Sequence, residues 1–171
     1  MLNNKNILIT GAGSGIGRAT SLLAAGYGAN VFCVDLTDGA DATAAEIQAA
    51  GGTATSLRAN VADEAEVETF VQQCVDHYGS IDGIYANAGV SGGGKSVTEL
   101  TVEDWQRTLG VNTVGVFLAV KHSLKHFLAQ GHGAILCTAS VAGLRANAGG
   151  VDYSASKAGV VSIVQTTAYQ T

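Results

Sequence analysis

Short apolar runs alternate with longer amphipathic segments from one end of the chain to the other. The runs are continuously apolar, which is typical of strands that are covered on both faces of a sheet. Between the runs, apolar residues recur at helical spacing. The predicted strands are Asn6–Thr10, Asn30–Asp35, Thr53–Arg58, Ile81–Ala86 and Gly133–Thr138. The predicted helices are Gly15–Gly28, Ala40–Ala50, Asp63–Tyr78, Trp105–Ala129 and Ser154–Thr167.

Strands that alternate with helices build βαβ units, in which the strands are parallel and the crossovers right-handed. The sequence therefore predicts the α/β class, as a Rossmann-like doubly wound parallel sheet with helices on both faces. Residues 1–171 contain neither a tandem repeat nor a linker-like tract, so we expect one domain.

Composition narrows the functional classes. Hydrophobic residues make up 47% of the 171 residues and charged residues 13%, which excludes a mainly disordered chain. A net charge of −5 argues against nucleic-acid partners, and no apolar run approaches the roughly 18 residues of a membrane span. The first residues lack the pattern of a secretory signal, and Cys33, Cys74 and Cys137 are widely spaced and odd in number. We therefore expect free thiols in a cytoplasmic protein.

A glycine-rich turn connects the first predicted strand to the first predicted helix. It reads Thr-Gly-Ala-Gly-Ser-Gly-Ile-Gly at positions 10–17. Glycines let the backbone approach a pyrophosphate closely, and the following helix offers N–H groups and the positive end of its dipole. Asp35 ends the second strand, 18 positions after Gly17, close to the spacing of an acid that binds a nucleotide ribose. The alternative interpretation of the turn is a flexible loop.

Asp35 also favours one nicotinamide cofactor over the other. A carboxylate at this position accepts hydrogen bonds from the adenosine ribose hydroxyls of NAD and repels the additional phosphate of NADP. No arginine or lysine stands at Ser14 or Leu36 to offset that repulsion, and Arg18 falls inside the first helix. We therefore expect NAD rather than NADP.

Tyr153 and Lys157 stand four positions apart in the last predicted helical region, so their side chains share one helix face. An ammonium group beside a phenol favours the ionised phenol, and such a tyrosine can exchange a proton with an alcohol or a carbonyl. Taken alone, the pair is also typical of a solvated helix face. Beside a nucleotide-binding turn in the same chain it indicates catalysis.

Together these motifs resemble the short-chain dehydrogenase/reductase (SDR) family over essentially the whole chain. The resemblance implies an oxidoreductase that transfers a hydride between NAD(H) and a small-molecule substrate, a secondary alcohol or ketone. It also implies a homodimer or homotetramer that assembles through helices 105–129 and 154–167. The matching positions are 10–17, Asp35, Asn87-Ala88-Gly89 after the fourth strand, Asn112, Ser140, Tyr153 and Lys157.

The resemblance implies a role for each catalytic residue. Tyr153 would act as acid in reduction and base in oxidation, while Lys157 would hold the nicotinamide ribose and favour the ionised phenol. Ser140 would bind the substrate oxygen, and Asn112 would anchor a water in a proton relay from Lys157. Considered singly, Asn112 could instead be an internally satisfied polar residue, Ser140 a helix N-cap, and residues 87–89 an ordinary turn.

One implied cofactor-binding residue departs from the family pattern. Asn60 stands where most members have an aspartate that binds adenine, although an amide can still donate or accept a hydrogen bond. No metal site is expected, because His122 and His126 have helical spacing but no evident third ligand, which favours solvated or interface histidines. The implied cofactor-binding residues are Gly11, Ser14, Gly15, Ile16, Gly17, Asp35, Asn60, Val61, Asn87, Ala88, Gly89, Tyr153 and Lys157.

Length and proline content indicate an incomplete domain. Family members run to about 250 residues, whereas this chain ends at Thr171 and contains no proline. The last two strands, a Pro-Gly motif and the loop that shapes the substrate pocket would then be missing, and the edge of the fifth strand would be exposed. We therefore expect a C-terminally truncated domain. The alternative function is a catalytically inactive NAD-binding module or a structural fragment.

Overall fold

The structure is a computed structural model that describes residues 2–171. Its strands are β1 (Asn6–Thr10), β2 (Asn30–Asp35), β3 (Thr53–Arg58), β4 (Gly83–Ala86) and β5 (Ala134–Cys137). Its α-helices are α1 (Gly15–Gly26), α2 (Gly39–Ala49), α3 (Glu64–Tyr78), α4 (Val102–Leu109), α5 (Gly115–Gln130) and α6 (Val151–Gln170). A π-helical turn (Gly110–Val114) joins α4 to α5, and a short 3-10 helix (Val141–Gly143) follows β5. None of the helices within residues 2–171 is both long and apolar enough to cross a membrane.

The strands of the described chain are parallel, and their order in the sheet is β3-β2-β1-β4-β5. Helices α1 and α2 cover one face, whereas α3 and α5 cover the other, with α6 packed against α4 and α5. The predicted doubly wound α/β fold is confirmed. From β1 the chain adds β2 and β3 on one side of the sheet, and it then adds β4 and β5 on the other side. The crevice where such sheets bind ligands therefore lies outside the carboxyl ends of the neighbouring strands β1 and β4.

Two apolar cores hold the layers together, one on each face of the sheet. Successive residues of a strand point to opposite faces, so Leu8 packs in one core and Ile9 in the other, and both are fully buried. Phe70 of α3 fills the first core, and Ile47 of α2 fills the second. This double burial explains why the central strands are continuously apolar in the sequence.

The long predicted helix begins at Val102 rather than Trp105 because a capping box extends it. The Thr101 hydroxyl accepts a hydrogen bond from the Asp104 N–H at 3.1 Å, and the Asp104 carboxylate accepts one from the Thr101 N–H at 3.1 Å. These contacts satisfy backbone donors that a helix start leaves unpaired. Because the box is polar, a prediction from apolar spacing misses it.

Other predicted bounds change by a few residues, and one change matters for the site. The last helix runs over Val151–Gln170 rather than 154–167, so Tyr153 lies in its first turn. Helix α1 ends at Gly26 rather than Gly28, and β4 begins at Gly83 rather than Ile81.

Strand β5 forms one edge of the described sheet. It pairs with β4, and Leu136 at its centre is 59% exposed. Beside it, a groove of about 420 Å³ runs between the ends of α5 and α6 and is lined by apolar side chains that include Phe127, Ile135 and Val164. The expected exposed edge of the fifth strand is therefore present.

The three cysteines are free. Cys33 and Cys74 are buried, and burial raises the pKa of the Cys33 thiol to about 11 and that of the Cys74 thiol to about 12. Burial also raises the pKa of the half-buried Cys137 thiol, to about 11. At neutral pH these thiols are protonated, so they act as small apolar side chains and not as nucleophiles.

Candidate active site

The turn between β1 and α1 leaves the helix N-terminus uncapped. Ser14 occupies the N-cap position without a side-chain capping hydrogen bond, and the first turn carries no acidic residue. Helix α3 shows the usual alternative, since Asp63 caps it by accepting a hydrogen bond from the Glu66 N–H at 3.1 Å. The first N–H groups of α1 are therefore left for an external anion such as a pyrophosphate.

Two glycines of this turn have no room for a side chain. A Cβ at Gly17 would overlap the carbonyl oxygen of Gly11, and a Cβ at Gly13 would lie 2.9 Å from Cγ of Asp35. Gly17 is buried beneath the turn, so it supports the turn from below. The result is a cradle of bare backbone at a helix N-terminus, which fits the phosphates of a dinucleotide.

The Asp35 carboxylate faces this turn. Its Oδ2 accepts a hydrogen bond from the Gly13 N–H at 2.9 Å, while Oδ1 accepts from the Thr37 N–H at 3.0 Å and the Thr37 hydroxyl at 2.9 Å. A carboxylate has about four acceptor positions, so about one is left for a ligand hydroxyl. Rotation of the Thr37 hydroxyl away from Oδ1 would free a second acceptor position of the carboxylate. These acceptors fit a ribose diol, whereas a phosphate at the same place would be repelled.

Asn60 lies in the turn after β3. Its Oδ1 accepts a hydrogen bond from the Ala62 N–H at 3.0 Å, and its own N–H donates to the Glu66 carboxylate at 2.7 Å. The amide oxygen thus closes the turn, and the amide nitrogen can still donate to a ligand.

Asn87 connects the carboxyl ends of three strands. Its Nδ2 donates to the Thr10 carbonyl at 3.1 Å, and its N–H donates to the Thr10 hydroxyl at 3.0 Å. Its Oδ1 accepts from the Thr138 hydroxyl at 3.1 Å. Because Thr10 ends β1 and Thr138 follows β5, this side chain fixes the floor of the crevice.

Lys157 reaches the crevice as a buried cation. It is 3% exposed, its Nζ donates to the Thr138 carbonyl at 2.8 Å, and Nζ lies 5.7 Å from the centroid of the Tyr153 ring. Burial lowers the pKa of Lys157, and the neighbouring Cys137 acts in the opposite direction. An ammonium group has three donors, so two are left after the Thr138 contact.

Ser140 caps the 3-10 helix that follows β5. Its hydroxyl oxygen accepts a hydrogen bond from the Ala142 N–H at 3.1 Å. A hydroxyl carries one donor proton and two acceptor positions, so the proton of Ser140 is still available to a substrate oxygen. The capping role and the substrate-binding role are therefore compatible.

Asn112 is fully buried in the π-helical turn, and its amide is used within the chain. Its Oδ1 accepts from the Val90 N–H at 2.8 Å, and its Nδ2 donates to the Val90 carbonyl at 2.9 Å and to Oγ of Ser156 at 3.0 Å. A Cβ at Gly89 would lie 3.1 Å from Oδ1 of Asn112 and 3.5 Å from Nζ of Lys157, so both side chains flank Gly89. Asn112 thus joins the segment after β4 to α6.

A cleft of about 580 Å³ runs across the carboxyl ends of the strands. One end holds the glycine turn and Asp35, and the other holds Tyr153 and Lys157. Three predicted site residues, Gly17, Asn112 and Ser140, lie outside its lining. The predicted residues within the lining are Gly11, Ser14, Gly15, Ile16, Asp35, Asn60, Val61, Asn87, Ala88, Gly89, Tyr153 and Lys157.

A family model described as short chain dehydrogenase matches residues 5–171. The chain belongs to the short-chain dehydrogenase family. Its fold and the order of its motifs agree with that membership, as the resemblance in the sequence predicted.

Two named dehydrogenases are among the proteins similar to this chain. It is 38% identical over 161 residues to cis-4-hydroxycyclohexanecarboxylate dehydrogenase of Sinomonas cyclohexanicum, a match to 94% of this chain and 65% of that protein. It is 38% identical over 169 residues to cyclohexanol dehydrogenase of Acinetobacter sp. (strain SE19), a match to 98% of this chain and 67% of that protein. The chain thus spans about two-thirds of the length of these relatives.

A solved short-chain dehydrogenase is similar in structure as well. The crystal structure of a family member from Burkholderia phymatum in complex with NAD superposes with a TM-score of 0.95 and 34% identity. The match covers 99% of this chain and 61% of that one. NAD is the ligand bound in that neighbour.

Sequence reasoning missed several residues of this short-chain dehydrogenase's cleft. Leu36 and Thr138 directly follow β2 and β5, so the rule that ligands bind at the carboxyl ends of parallel strands could have found them. Val111 reaches the cleft through the π-helical turn, for which the sequence carries no local signal. The unpredicted lining residues are Leu36, Ala59, Val90, Ser91, Val111 and Thr138.

His122 packs between two helices. His122 is 4% exposed, with Nε2 3.3 Å from Oε1 of Glu64 and Nδ1 3.6 Å from Oε1 of Glu68, so it lies between α5 and α3 and not in solvent. Within residues 2–171, no group of three or more histidine, cysteine or carboxylate side chains is arranged to hold a metal ion.

Proposed function

We propose that this short-chain dehydrogenase is an oxidoreductase that transfers a hydride between NAD(H) and a secondary alcohol or ketone. The observation that carries the proposal is the arrangement of one cleft. An uncapped helix N-terminus and Asp35 lie at one end, and the Tyr153/Lys157 pair lies at the other. That arrangement suits a dinucleotide with its reactive ring beside a proton donor and acceptor.

NAD is the proposed cofactor, and NADP the disfavoured one. The acceptor positions of the Asp35 carboxylate suit the hydroxyls of an unphosphorylated ribose. Arg18, the basic residue of α1, forms an ion pair with Glu46, so it is not directed at Asp35. The charge at this end of the cleft therefore favours NAD.

Bound NAD would supply the group that accepts or donates the hydride. In alcohol oxidation, Tyr153 would take the proton of the substrate hydroxyl, and Lys157 would use its two remaining donors to hold the cofactor ribose and stabilise the ionised phenol. Ser140 would donate its hydroxyl proton to the substrate oxygen and hold it in place. Reduction would use the same groups in reverse.

Asn112 completes the proposed catalytic set from behind the cleft. Its hydrogen bonds to Val90 and Ser156 hold the segment after β4 against α6, which carries Tyr153 and Lys157. The water that Asn112 would anchor for a proton relay stays a prediction.

Cyclic secondary alcohols are the first substrates to try. Two similar relatives are named for cyclohexanol and for a hydroxycyclohexanecarboxylate, both of which are secondary alcohols on a six-membered ring. The groups that would meet the substrate, Ser140 and Tyr153, recognise its oxygen and so admit this whole class.

A homodimer or homotetramer in the cytoplasm is the proposed state of the protein. Apolar side chains are exposed along the helices that we expect to assemble, 105–129 and 154–167. Phe117 is 48% exposed, Val114 44% and Val164 41%. A second copy would remove this apolar surface from water.

A binding titration followed by a turnover assay tests the proposed function. NAD and NADP are titrated against the chain, and oxidation of cyclohexanol and related alcohols is followed by NADH absorbance. We expect NAD to bind more tightly than NADP, and NADH to form only when an alcohol is present. Binding without turnover would identify an inactive NAD-binding module. If neither cofactor binds, both the oxidoreductase and the NAD-binding module are overturned.

A further inference from the structure

Asp152 is a buried carboxylate that the proposed reaction does not use. It is 1% exposed, lies in the first turn of α6, and immediately precedes Tyr153. Its Oδ2 accepts hydrogen bonds from the Thr108 hydroxyl at 2.8 Å and from the Gly93 N–H at 3.4 Å. None of the ion pairs within residues 2–171 includes Asp152. A buried charge with no cation is unfavourable unless hydrogen bonds replace its hydration, so this arrangement needs an explanation.

The hydrogen bonds around Asp152 favour its ionised form. Burial by itself raises the pKa of Asp152, but hydrogen bonds from the Thr108 hydroxyl and from the N–H groups of Tyr153 and Gly93 outweigh it and lower the pKa. The positive end of the α6 dipole favours the same charge. The Asp152 carboxylate therefore has acceptor positions for each of these donors.

The loop after β4 is shaped around this carboxylate. Gly92 has φ +78°, and a Cβ there would lie 2.7 Å from Oδ2 and 3.0 Å from Oδ1 of Asp152. Glycine is required both by the backbone conformation and by the close approach. The same loop begins with Val90 and Ser91, which line the cleft.

Three elements thus meet at one side chain. The loop after β4 contacts Asp152 through Gly92 and Gly93, α4 contacts it through Thr108, and α6 carries it next to Tyr153. We propose that Asp152 is a positioning residue, which fixes the substrate side of the cleft relative to Tyr153 through directional hydrogen bonds. This role rests on the proposed function, because positioning has a consequence only where Tyr153 exchanges a proton.

A pair of substitutions at one position tests this role in the full chain. Asp152→Leu keeps the same branching of heavy atoms but removes every acceptor, whereas Asp152→Asn keeps one oxygen that can accept from Thr108 or Gly93. Three quantities are measured for each: hydrogen exchange of the backbone amides at 91–95, the Kd for NAD, and kcat and KM for cyclohexanol. Thr108→Val is the second variant in case Asp152→Leu does not fold, because it removes a single hydrogen bond.

Positioning predicts a specific pattern. In Asp152→Leu, amides 91–95 exchange roughly tenfold to a hundredfold faster, the range expected for losing hydrogen bonds to a charged group. Cyclohexanol turnover falls by a similar factor in kcat, while the Kd for NAD stays within about twofold. In Asp152→Asn, the exchange rate of these amides and the kcat for cyclohexanol both stay close to those of the unmodified chain. In Thr108→Val, the exchange rate and kcat change in the same direction as in Asp152→Leu, but by less.

Other patterns would overturn the role. The side chain is merely structural if amides 91–95 exchange at an unchanged rate in Asp152→Leu. The same holds if Asp152→Asn loses as much turnover as Asp152→Leu, or if the affinity for NAD falls in parallel with turnover. An unmodified chain that binds NAD but shows no turnover refutes the proposed function instead, and the exchange comparison still decides whether Asp152 holds the loop.

Discussion

Replacing Asn112 by leucine should destabilise the whole domain, because the chain uses this amide to satisfy its own backbone. Leucine has a similar shape but no polar atoms. The substitution would leave the N–H and the carbonyl of Val90 without their partners and would remove the contact to Ser156, which keeps its other hydrogen bond, to the Tyr153 carbonyl. The effect therefore comes mainly from two backbone groups.

Each unsatisfied backbone group costs about 1–3 kcal/mol. The two groups of Val90 together should lower the free energy of unfolding by about 4 kcal/mol, a large part of the roughly 5–15 kcal/mol of a typical domain. For a chain of this length, about 2–4 °C of Tm is lost per kcal/mol. The expected decrease in Tm is therefore about 8–16 °C.

Thermal unfolding followed by circular dichroism measures this decrease. Gln106→Leu is the matched control, because it makes the same kind of change at an exposed position of α4 and should alter stability by no more than about 0.5 kcal/mol. A decrease in Tm below about 3 °C for Asn112→Leu would refute the reasoning, since it would mean that the two Val90 groups find water or other partners at little cost.

Three further predictions concern the cofactor and the pH dependence of stability. Gly17→Ala should raise the Kd for NADH at least about tenfold in a fluorescence titration, because its Cβ overlaps the Gly11 carbonyl and displaces the turn; Gly26→Ala, whose Cβ meets nothing within 4 Å, should leave the Kd unchanged. Asp35→Ala should narrow the difference between the Kd values for NAD and NADP, and an unchanged ratio would show that Asp35 does not select the cofactor. Burial raises the pKa of Asp82, but hydrogen bonds from the start of β1 outweigh it and lower the pKa below its usual value. That stabilisation is present above about pH 4 and is lost as the pH falls through the lowered pKa. Asp82→Asn should therefore destabilise the chain at neutral pH in urea titrations and match the unmodified chain in strong acid.

The strands and the glycine turn could be predicted because their determinants are local. The continuous apolar run of β1 predicts a buried strand without reference to distant residues. The turn at 10–17 lies between a strand and a helix in the sequence itself. The spacing of Asp35 after the turn, and of Lys157 after Tyr153, likewise appears in the sequence itself. Most of the predicted cofactor residues do line the cleft.

The remaining features depend on residues that are distant in the sequence. Asn112 contacts Val90 and Ser156, and Asp152 contacts Thr108 and Gly93, so neither role appears in any local pattern. The place of Thr138 after β5 could have been read from the sequence, but the hydrogen bond from Lys157 to its carbonyl joins residues of β5 and α6 that no local pattern connects. The π-helical turn changes the phase of a helix in a way that apolar spacing does not record.

The most direct test of the proposed function compares two tyrosine substitutions. Tyr153→Phe removes one hydroxyl from the cleft, and Tyr169→Phe makes the same change at a side chain that is 94% exposed on the last turn of α6. Turnover of cyclohexanol and the Kd for NAD are measured for both variants and for the unmodified chain. Tyr153→Phe should reduce turnover by at least about a hundredfold, the lower range for general acid–base catalysis, with the Kd for NAD within about twofold. Turnover by Tyr153→Phe at the level of Tyr169→Phe would contradict the assignment of Tyr153 as the acid and base.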